Sequence, residues 1–357
     1  MKTAVILFNL GGPDRPDCVR PFLFNLFNDP AIIRLPAILR TPLAYLIAKR
    51  RAKVAGKIYD LLGGGSPLLP NTKAQATALQ AALGDRFKCF IVMRYWHPMA
   101  GEVAELVKDY NPDRVLLLPL YPQYSTTTTA SSVKEWHRAV KAAKLGAPTQ
   151  LICCYPTLGN YYDKVDGFVR AQIDLIKPFL KKASWRQAES WNAPQKIKPR
   201  ILFSAHGLPE KIVAGGDPYQ WQCEQTAKAI VDQLGDHDLD YVSCYQSRVG
   251  PLKWIGPSTE DEIRRAGADG VPLIVVPIAF TSEHSETLVE LDIEYAHLAH
   301  EAGVPAYHRV PTVSAHSVFI DGLADLVKRT INSGQKICSQ AGGRICPAHH
   351  GGCPHKS

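Results

Sequence analysis

Eight short apolar runs punctuate this chain, and helical patterns separate most of them. Residues 4–10, 89–95, 115–120 and 150–155 form a first set, and 201–206, 241–246, 273–280 and 307–310 a second. Stretches 72–83, 102–110, 131–143 and 222–234 read as helices between them. Parallel neighbours cannot be joined by a tight turn, so strand, helix, strand alternation demands crossovers and parallel sheets with helices on both faces. Four strands per half predict an α/β chain of two similar doubly wound, Rossmann-like domains facing one another across a cleft. No residue-level repeat relates the halves. The expected division is an N-terminal domain over 1–165, a C-terminal domain over 166–332 and a tail over 333–357. Residues 184–199 read as a polar, Pro-containing loop before the second sheet.

With 357 residues and 46% hydrophobic composition, the chain can bury one large core or two modest ones, and 21% charged residues exclude wholesale disorder. The net charge of +8 concentrates at Lys49, Arg50, Arg51 and Lys53 and across 177–186. No basic helix with interleaved aromatics accompanies it, so nucleic acid is not the expected partner. No apolar run approaches the roughly 20 residues a membrane span needs, and the start leads directly into a strand. No signal peptide is expected, and the protein is expected in the cytoplasm. Six of the nine cysteines are scattered through the core sequence, where free thiols act as small apolar residues; the other three cluster near the end. The Gly11-Gly12-Pro13 and Gly63-Gly64-Gly65-Ser66-Pro67 clusters lack the dinucleotide and phosphate-loop patterns. They read as tight turns or as close backbone approach to a flat ligand.

Two segments carry the chemistry. In Phe203-Ser204-Ala205-His206-Gly207-Leu208-Pro209 a histidine stands where an apolar run gives way to a Gly/Pro turn, at the carboxyl end of a buried strand. The second is the apolar run Ile274 to Phe280 followed by Thr281-Ser282-Glu283-His284-Ser285-Glu286. Thr281 or Ser282 is expected to cap a helix running through Tyr295. Glu283, Glu286, Glu290 and Glu294 sit at offsets 0, 3, 7 and 11. At about 100° per residue they share one stripe. Such a row is most often a solvated face, but one that starts at the sheet edge of His206 can shuttle protons or pass a hard cation inward.

Together with Leu7-Phe8-Asn9-Leu10-Gly11-Gly12-Pro13-Asp14 and Gln246-Ser247-Arg248-Val249-Gly250-Pro251-Leu252-Lys253-Trp254, these segments resemble the ferrochelatases, over about residues 3–330. That family inserts Fe2+ into a porphyrin at the last step of haem synthesis. The resemblance implies the class II chelatase form, with the porphyrin in the cleft between two domains. It implies His206 and Glu286 as the central pair for pyrrole protons and substrate Fe2+, with Glu290, Glu283 and His284 behind them. It implies Tyr95 and Trp254 at the macrocycle, with Ile33, Arg94 and Tyr121 as further pocket positions. Residues 33–53, apolar and then basic, match a mobile lip that admits the macrocycle and touches the bilayer. Expected partners are protoporphyrin IX and ferrous iron, with peripheral contact at the inner membrane and a homodimer left open. Coproporphyrin as substrate, and a non-catalytic haem or iron–sulfur binding protein, are the alternatives.

Cys338, Cys346 and Cys353, spaced C-x7-C-x6-C among Gly and Pro, look like a metal-binding tail. Many ferrochelatases hold a [2Fe–2S] cluster on three C-terminal cysteines and one internal cysteine. This chain departs from the animal pattern in spacing and carries Thr126 at the internal position. Cys154, or its neighbour Cys153, is the expected fourth ligand. Zinc on three thiols and one of His349, His350 or His355 is the rival.

Overall fold

All seven residues of Thr3–Asn9 are buried, as a central parallel strand covered on both faces requires. The computed structural model describes residues 1–160, 166–183, 197–236, 238–248 and 250–355. Most of the expected loop over 184–199, part of the basic run 177–186, and Val249 within its motif lie outside the described residues. The strands are β1 (Thr3–Asn9), β2 (Phe87–Met93), β3 (Arg114–Pro119), β4 (Thr149–Cys154), β5 (Arg200–His206), β6 (Tyr241–Gln246), β7 (Leu273–Pro277), β8 (Tyr307–Arg309) and β9 (Ile337–Ser339). The chain divides into two compact units: Met1–Tyr155 with Leu323–Ser357, and Pro156–Gly322.

The first unit holds the sheet β2-β1-β3-β4-β9, with every pairing parallel. Its core joins Phe8, Val115 and Leu117 of the sheet to Val103 and Val107 of helix Ala100–Tyr110 and Trp136 of helix Thr129–Ala143. Phe8 and Trp136 meet edge to face, centroids 6.4 Å apart. The second unit holds β6-β5-β7-β8, again all parallel. Side chains alternate across a strand, so Ile201, Phe203, Ile274 and Val276 belong to one core cluster and Leu202, Leu273 and Val275 to another. Helices Phe168–Ala183 and Tyr219–Leu234 supply the first cluster, and Thr259–Asp269 and Tyr295–Glu301 the second. Taken strand by strand, the two units repeat one order: second, first, third, fourth. In such doubly wound sheets ligands bind beyond the strand ends where the order reverses, at β1/β3 and at β5/β7.

Three expectations are corrected. The tail over 333–357 does not stand apart: Ile337–Ser339 pairs with β4, and residues 323–357 belong to the first unit. The first long unit also ends at Tyr155, ten residues before the expected boundary at 165. The helix expected from residue 281 or 282 begins instead as a π-helix, Glu286–Glu294, and only then becomes the α-helix Tyr295–Glu301. Its i→i+5 bonding widens the turn, so the carboxylates do not share the stripe that 3.6-residue geometry gives, and Glu294 is exposed.

The apolar segment after residue 35 is the helix Ala37–Asp60, with Pro42 inside it. Ile38 is 83% exposed, and Leu39 and Leu46 are also exposed. The two glycine clusters pack against each other. A Cβ on Gly12 would lie 2.6 Å from the Ser66 side chain, and one on Gly65 2.6 Å from the Asp14 carbonyl oxygen. Ser66 N–H also donates to the Pro13 carbonyl at 2.7 Å. The close approach is therefore loop to loop.

Candidate active site

His206 is the last residue of β5, and its Nδ1 lies 2.9 Å from Glu286 Oε2. Glu286 opens the π-helix that follows β7, the sheet neighbour of β5, so the pair stands at the switch point of the second sheet. Burial opposes the imidazolium, but the Glu286 carboxylate, in contact, and the more distant Glu290 outweigh it and raise the His206 pKa. Burial likewise opposes ionisation of Glu286, yet His206 and then His284 hold it down at about 2. The pair therefore favours the imidazolium on His206 and the carboxylate on Glu286. His284 is lowered by burial, and its Nδ1 accepts from the Glu286 backbone N–H at 3.2 Å, which leaves Nε2 to carry the proton.

Glu290 lies one turn further on, held in a cradle the sequence did not announce. Its Oε1 accepts from the Ser247 backbone N–H at 2.8 Å and the Tyr295 hydroxyl at 3.0 Å. Its Oε2 accepts from Gln246 Nε2 at 2.9 Å and the Ser247 hydroxyl. Burial and the neighbouring Glu286 charge nevertheless raise its pKa. Gln246 also donates to the Glu286 backbone carbonyl at 2.9 Å, which ties β6 to the π-helix. Ser247 reaches its position with φ of 61°, in the left-handed region. Gln246 and Ser247 stand in the motif quoted above, but their attachment to a carboxylate 43 residues away had no local signal.

Glu283 is not brought into this row. It pairs with Arg309 at 2.6 Å and accepts from the Thr312 backbone N–H at 2.9 Å, while Arg309 also binds Asp292. Burial opposes its charge, but Arg309 lowers its pKa. Its carboxylate belongs to an ion-pair network with Arg309 and Asp292. Trp254 lies near His206 along the chain path: a Cβ on Gly207 would meet Trp254 Cε3 at 3.2 Å and the Gln246 carbonyl oxygen at 3.0 Å. Glycine beside the histidine is what lets the indole come this close.

In the first unit Arg94 and Tyr95 follow β2, and Tyr121 follows β3 with its ring packed on the sheet core. Tyr95 is 1% exposed, with its hydroxyl donating to Asp29 Oδ2 at 2.8 Å, so its ring offers no open surface. The expected contact is corrected to a supporting one: the Arg94 guanidinium lies over that ring, 4.9 Å from its centroid. Ile33 is half-buried in the turn that follows Asp29.

Among the tail cysteines, Cys346 and Cys353 converge on β4. Cys153 and Cys154 Sγ atoms are 3.7 Å apart. Hydrogen bonding to Cys153 and Cys346, with burial, raises the Cys154 thiol far above its ordinary range, and hydrogen bonding to Cys346 with burial does the same for Cys353. Cys338 is turned elsewhere: it pairs in register with Ile152 and contacts Ser333 Oγ at 3.4 Å and Gln335 Oε1 at 3.5 Å. Of the expected set Cys154, Cys338, Cys346 and Cys353, the structure brings Cys154, Cys346 and Cys353 together with Cys153, while Cys338 faces Ser333 and Gln335. Among the described residues no group of three or more His, Cys, Asp or Glu side chains already stands in metal-ligand geometry.

Carboxylates and an imidazole with divergent proton affinities, fixed at the switch point of a doubly wound sheet, define an α/β enzyme that handles protons at a bound ligand. The sequence profile of the ferrochelatases matches residues 2–331. The chain is 52% identical to Ferrochelatase of Caulobacter vibrioides (strain NA1000 / CB15N) over 358 aligned residues, 99% of this chain and 97% of that one. It is 51% identical to Ferrochelatase of Phenylobacterium zucineum (99% and 98% covered) and 50% identical to that of Pelagibacter ubique (92% and 91%). The chain belongs to the ferrochelatase family. It is a lyase of haem synthesis, a porphyrin metal chelatase that inserts iron into a porphyrin.

Proposed function

We propose that the porphyrin is protoporphyrin IX and that His206 and Glu286 are the central pair in the insertion of Fe2+. The observation that carries this reading is the 2.9 Å contact between His206 Nδ1 and Glu286 Oε2 beyond the ends of β5 and β7. Metal cannot enter the macrocycle while both pyrrole nitrogens keep their protons, so two protons need acceptors. Neutral His206 accepts at Nε2 while its Nδ1–H is held by the Glu286 carboxylate, which stabilises the imidazolium that forms. Glu290, whose raised pKa lets it take a proton near neutrality more readily than an ordinary carboxylate, is the next station, and the Gln246–Ser247 cradle keeps it in line. Ile33, Arg94 and Tyr121 in the first unit and Trp254 in the second are the proposed macrocycle contacts. The test is anaerobic addition of Fe2+ and protoporphyrin IX to the purified protein. Collapse of the porphyrin bands into a haem spectrum, lost in His206→Ala and Glu286→Ala with porphyrin binding retained, supports the reading; unchanged turnover in both variants overturns the site. Faster turnover with coproporphyrin reassigns the substrate.

We propose further that Cys153, Cys154, Cys346 and Cys353 hold a [2Fe–2S] cluster. Four buried thiols in a chain of contacts fit that group's all-thiolate donor set, and the raised Cys154 and Cys353 thiols mean that a bound cation is what would favour their thiolates. Such a cluster supplies one-electron redox capacity when bound. Zinc without labile sulfide in anaerobically purified protein refutes it.

The exposed Ile38, Leu39 and Leu46 on helix Ala37–Asp60, ahead of Lys49, Arg50, Arg51 and Lys53, support a peripheral contact with an anionic bilayer. Among the described residues no helix is long and apolar enough to cross a membrane. Vesicle binding that survives Ile38→Asp and Leu39→Asp unchanged excludes this face.

A further inference from the structure

Asp29 is 3% exposed, in the turn after helix Val19–Phe27, and every partner of its carboxylate donates to it. Its Oδ2 accepts from Arg94 Nη2 at 2.8 Å, from the Tyr95 hydroxyl at 2.8 Å and from the Ser131 hydroxyl, while Oδ1 accepts from the Ala31 backbone N–H at 2.8 Å. Its backbone carbonyl accepts from Ile32 at 3.0 Å and Ile33 at 2.9 Å. Ser131 in turn accepts from Arg94 Nε at 2.7 Å. One residue therefore fixes the end of β2, the start of helix Thr129–Ala143 and the turn that carries Ile33. Arg94 is held on two of its nitrogens, Nε and Nη2, with a sixth of the side chain (16%) exposed.

We infer that Asp29 is the positioning residue of the porphyrin site in the first unit, acting through Arg94 and the Ile33 turn. The inference rests on the proposed macrocycle contacts of Arg94 and Ile33. A carboxylate is required rather than an amide. An asparagine at this position, in either flip, would aim its NH2 group at N–H or O–H donors, because both carboxylate oxygens face donors only. The guanidinium would also lose its buried counter-charge, and a buried ion pair broken on one side leaves the other charge uncompensated. Arg94 and the turn would then relax from their positions while His206 and Glu286 remained intact. Removing a contact made equally to bound porphyrin and to the transition state raises KM and spares kcat.

The experiment compares the full-length wild type with Asp29→Asn, Tyr95→Phe and the double variant, by protoporphyrin IX fluorescence titration and by KM and kcat for Fe2+ insertion. Asp29→Asn should raise Kd and KM for the porphyrin about tenfold or more and change kcat less than about threefold. The double variant should be worse than Asp29→Asn by less than Tyr95→Phe alone predicts, since the Tyr95 hydroxyl acts through Asp29. Tyr95→Phe removes a single hydroxyl and keeps the ring, so it reads the same network should Asp29→Asn not fold. Wild-type binding with Asp29→Asn and Tyr95→Phe both at wild-type Kd and KM overturns the inference and leaves the proposed function standing. A drop in kcat at unchanged KM also overturns it. Failure of the wild type itself to bind protoporphyrin IX overturns both.

Discussion

Replacing Glu286 by Gln should lower the pKa of His206, and the size of the lost attraction follows from the geometry. Nδ1 and Oε2 are 2.9 Å apart. The charge centres are then about 4 Å apart, where attraction is about 4 kcal/mol at an effective dielectric of about 20 and about 1 kcal/mol in water. The two side chains are 39% and 29% exposed, so solvent draws the value toward the lower limit. About 1 to 2 kcal/mol of attraction remains to be lost. Burial, which already opposes the imidazolium, then acts alone and pushes the same way. The assay is an NMR titration of the imidazole Cε1–H resonances, with His206→Ala assigning the signal among the 12 histidines. An unchanged or raised midpoint in Glu286→Gln refutes the charge argument. The same pair sets a stability window. His206, raised above 6.5, contributes fully below that pH and loses its contribution as pH climbs through the raised value. Glu286, lowered from 4.5 to about 2, contributes above 4.5 and loses it as pH falls toward about 2. The Tm gap between wild type and Glu286→Gln should therefore be widest between the two ordinary values and close on either side.

Three further outcomes are expected. Cys153→Ser and Cys346→Ser should strip labile sulfide and the iron–sulfur absorption from anaerobically purified protein, while Cys338→Ser keeps both; the reverse pattern restores Cys338 as a ligand. Gly207→Ala should lower stability by about 1 to 3 kcal/mol, because its methyl group meets the Gln246 carbonyl and the Trp254 ring. Urea unfolding measures it, and a neutral result means the indole moves aside. Arg309→Met should cost about 3 kcal/mol, since Glu283 and Asp292 lose their shared counter-charge. A loss below about 1 kcal/mol in urea unfolding would show that water relieves those carboxylates.

Much of the sheet architecture was legible because buried parallel strands are written as continuous apolar runs, and β1 and β7, buried throughout, are the clearest cases. Three residues of β9 carry no such run, and sequence spacing does not say which way a strand residue such as Cys338 points. His206 and Glu286 were legible from strand-end chemistry and from resemblance. The π-helix was not, since nothing in Glu286–Glu294 distinguishes i→i+5 from i→i+4 bonding by composition. Glu283 was misread for the same reason: an even helical stripe was assumed, and Arg309, 26 residues on, claims the side chain. Asp29 left no trace at all. Asn-Asp-Pro after a helix reads as an ordinary stop, and its side-chain partners Arg94, Tyr95 and Ser131 lie 65 to 102 residues away.

The strand β9 also sets an order of events for a chain made from its N-terminus. The sheet that begins with Thr3–Asn9 is finished by Ile337–Ser339, so β4 is an open edge until residues 337–339 have been made. The unit spanning Pro156–Gly322 has all four of its strands before that moment. During synthesis the second unit can close while the first still waits, with a strand edge and the thiols of Cys153 and Cys154 uncovered by the segment that will bring Cys346 and Cys353.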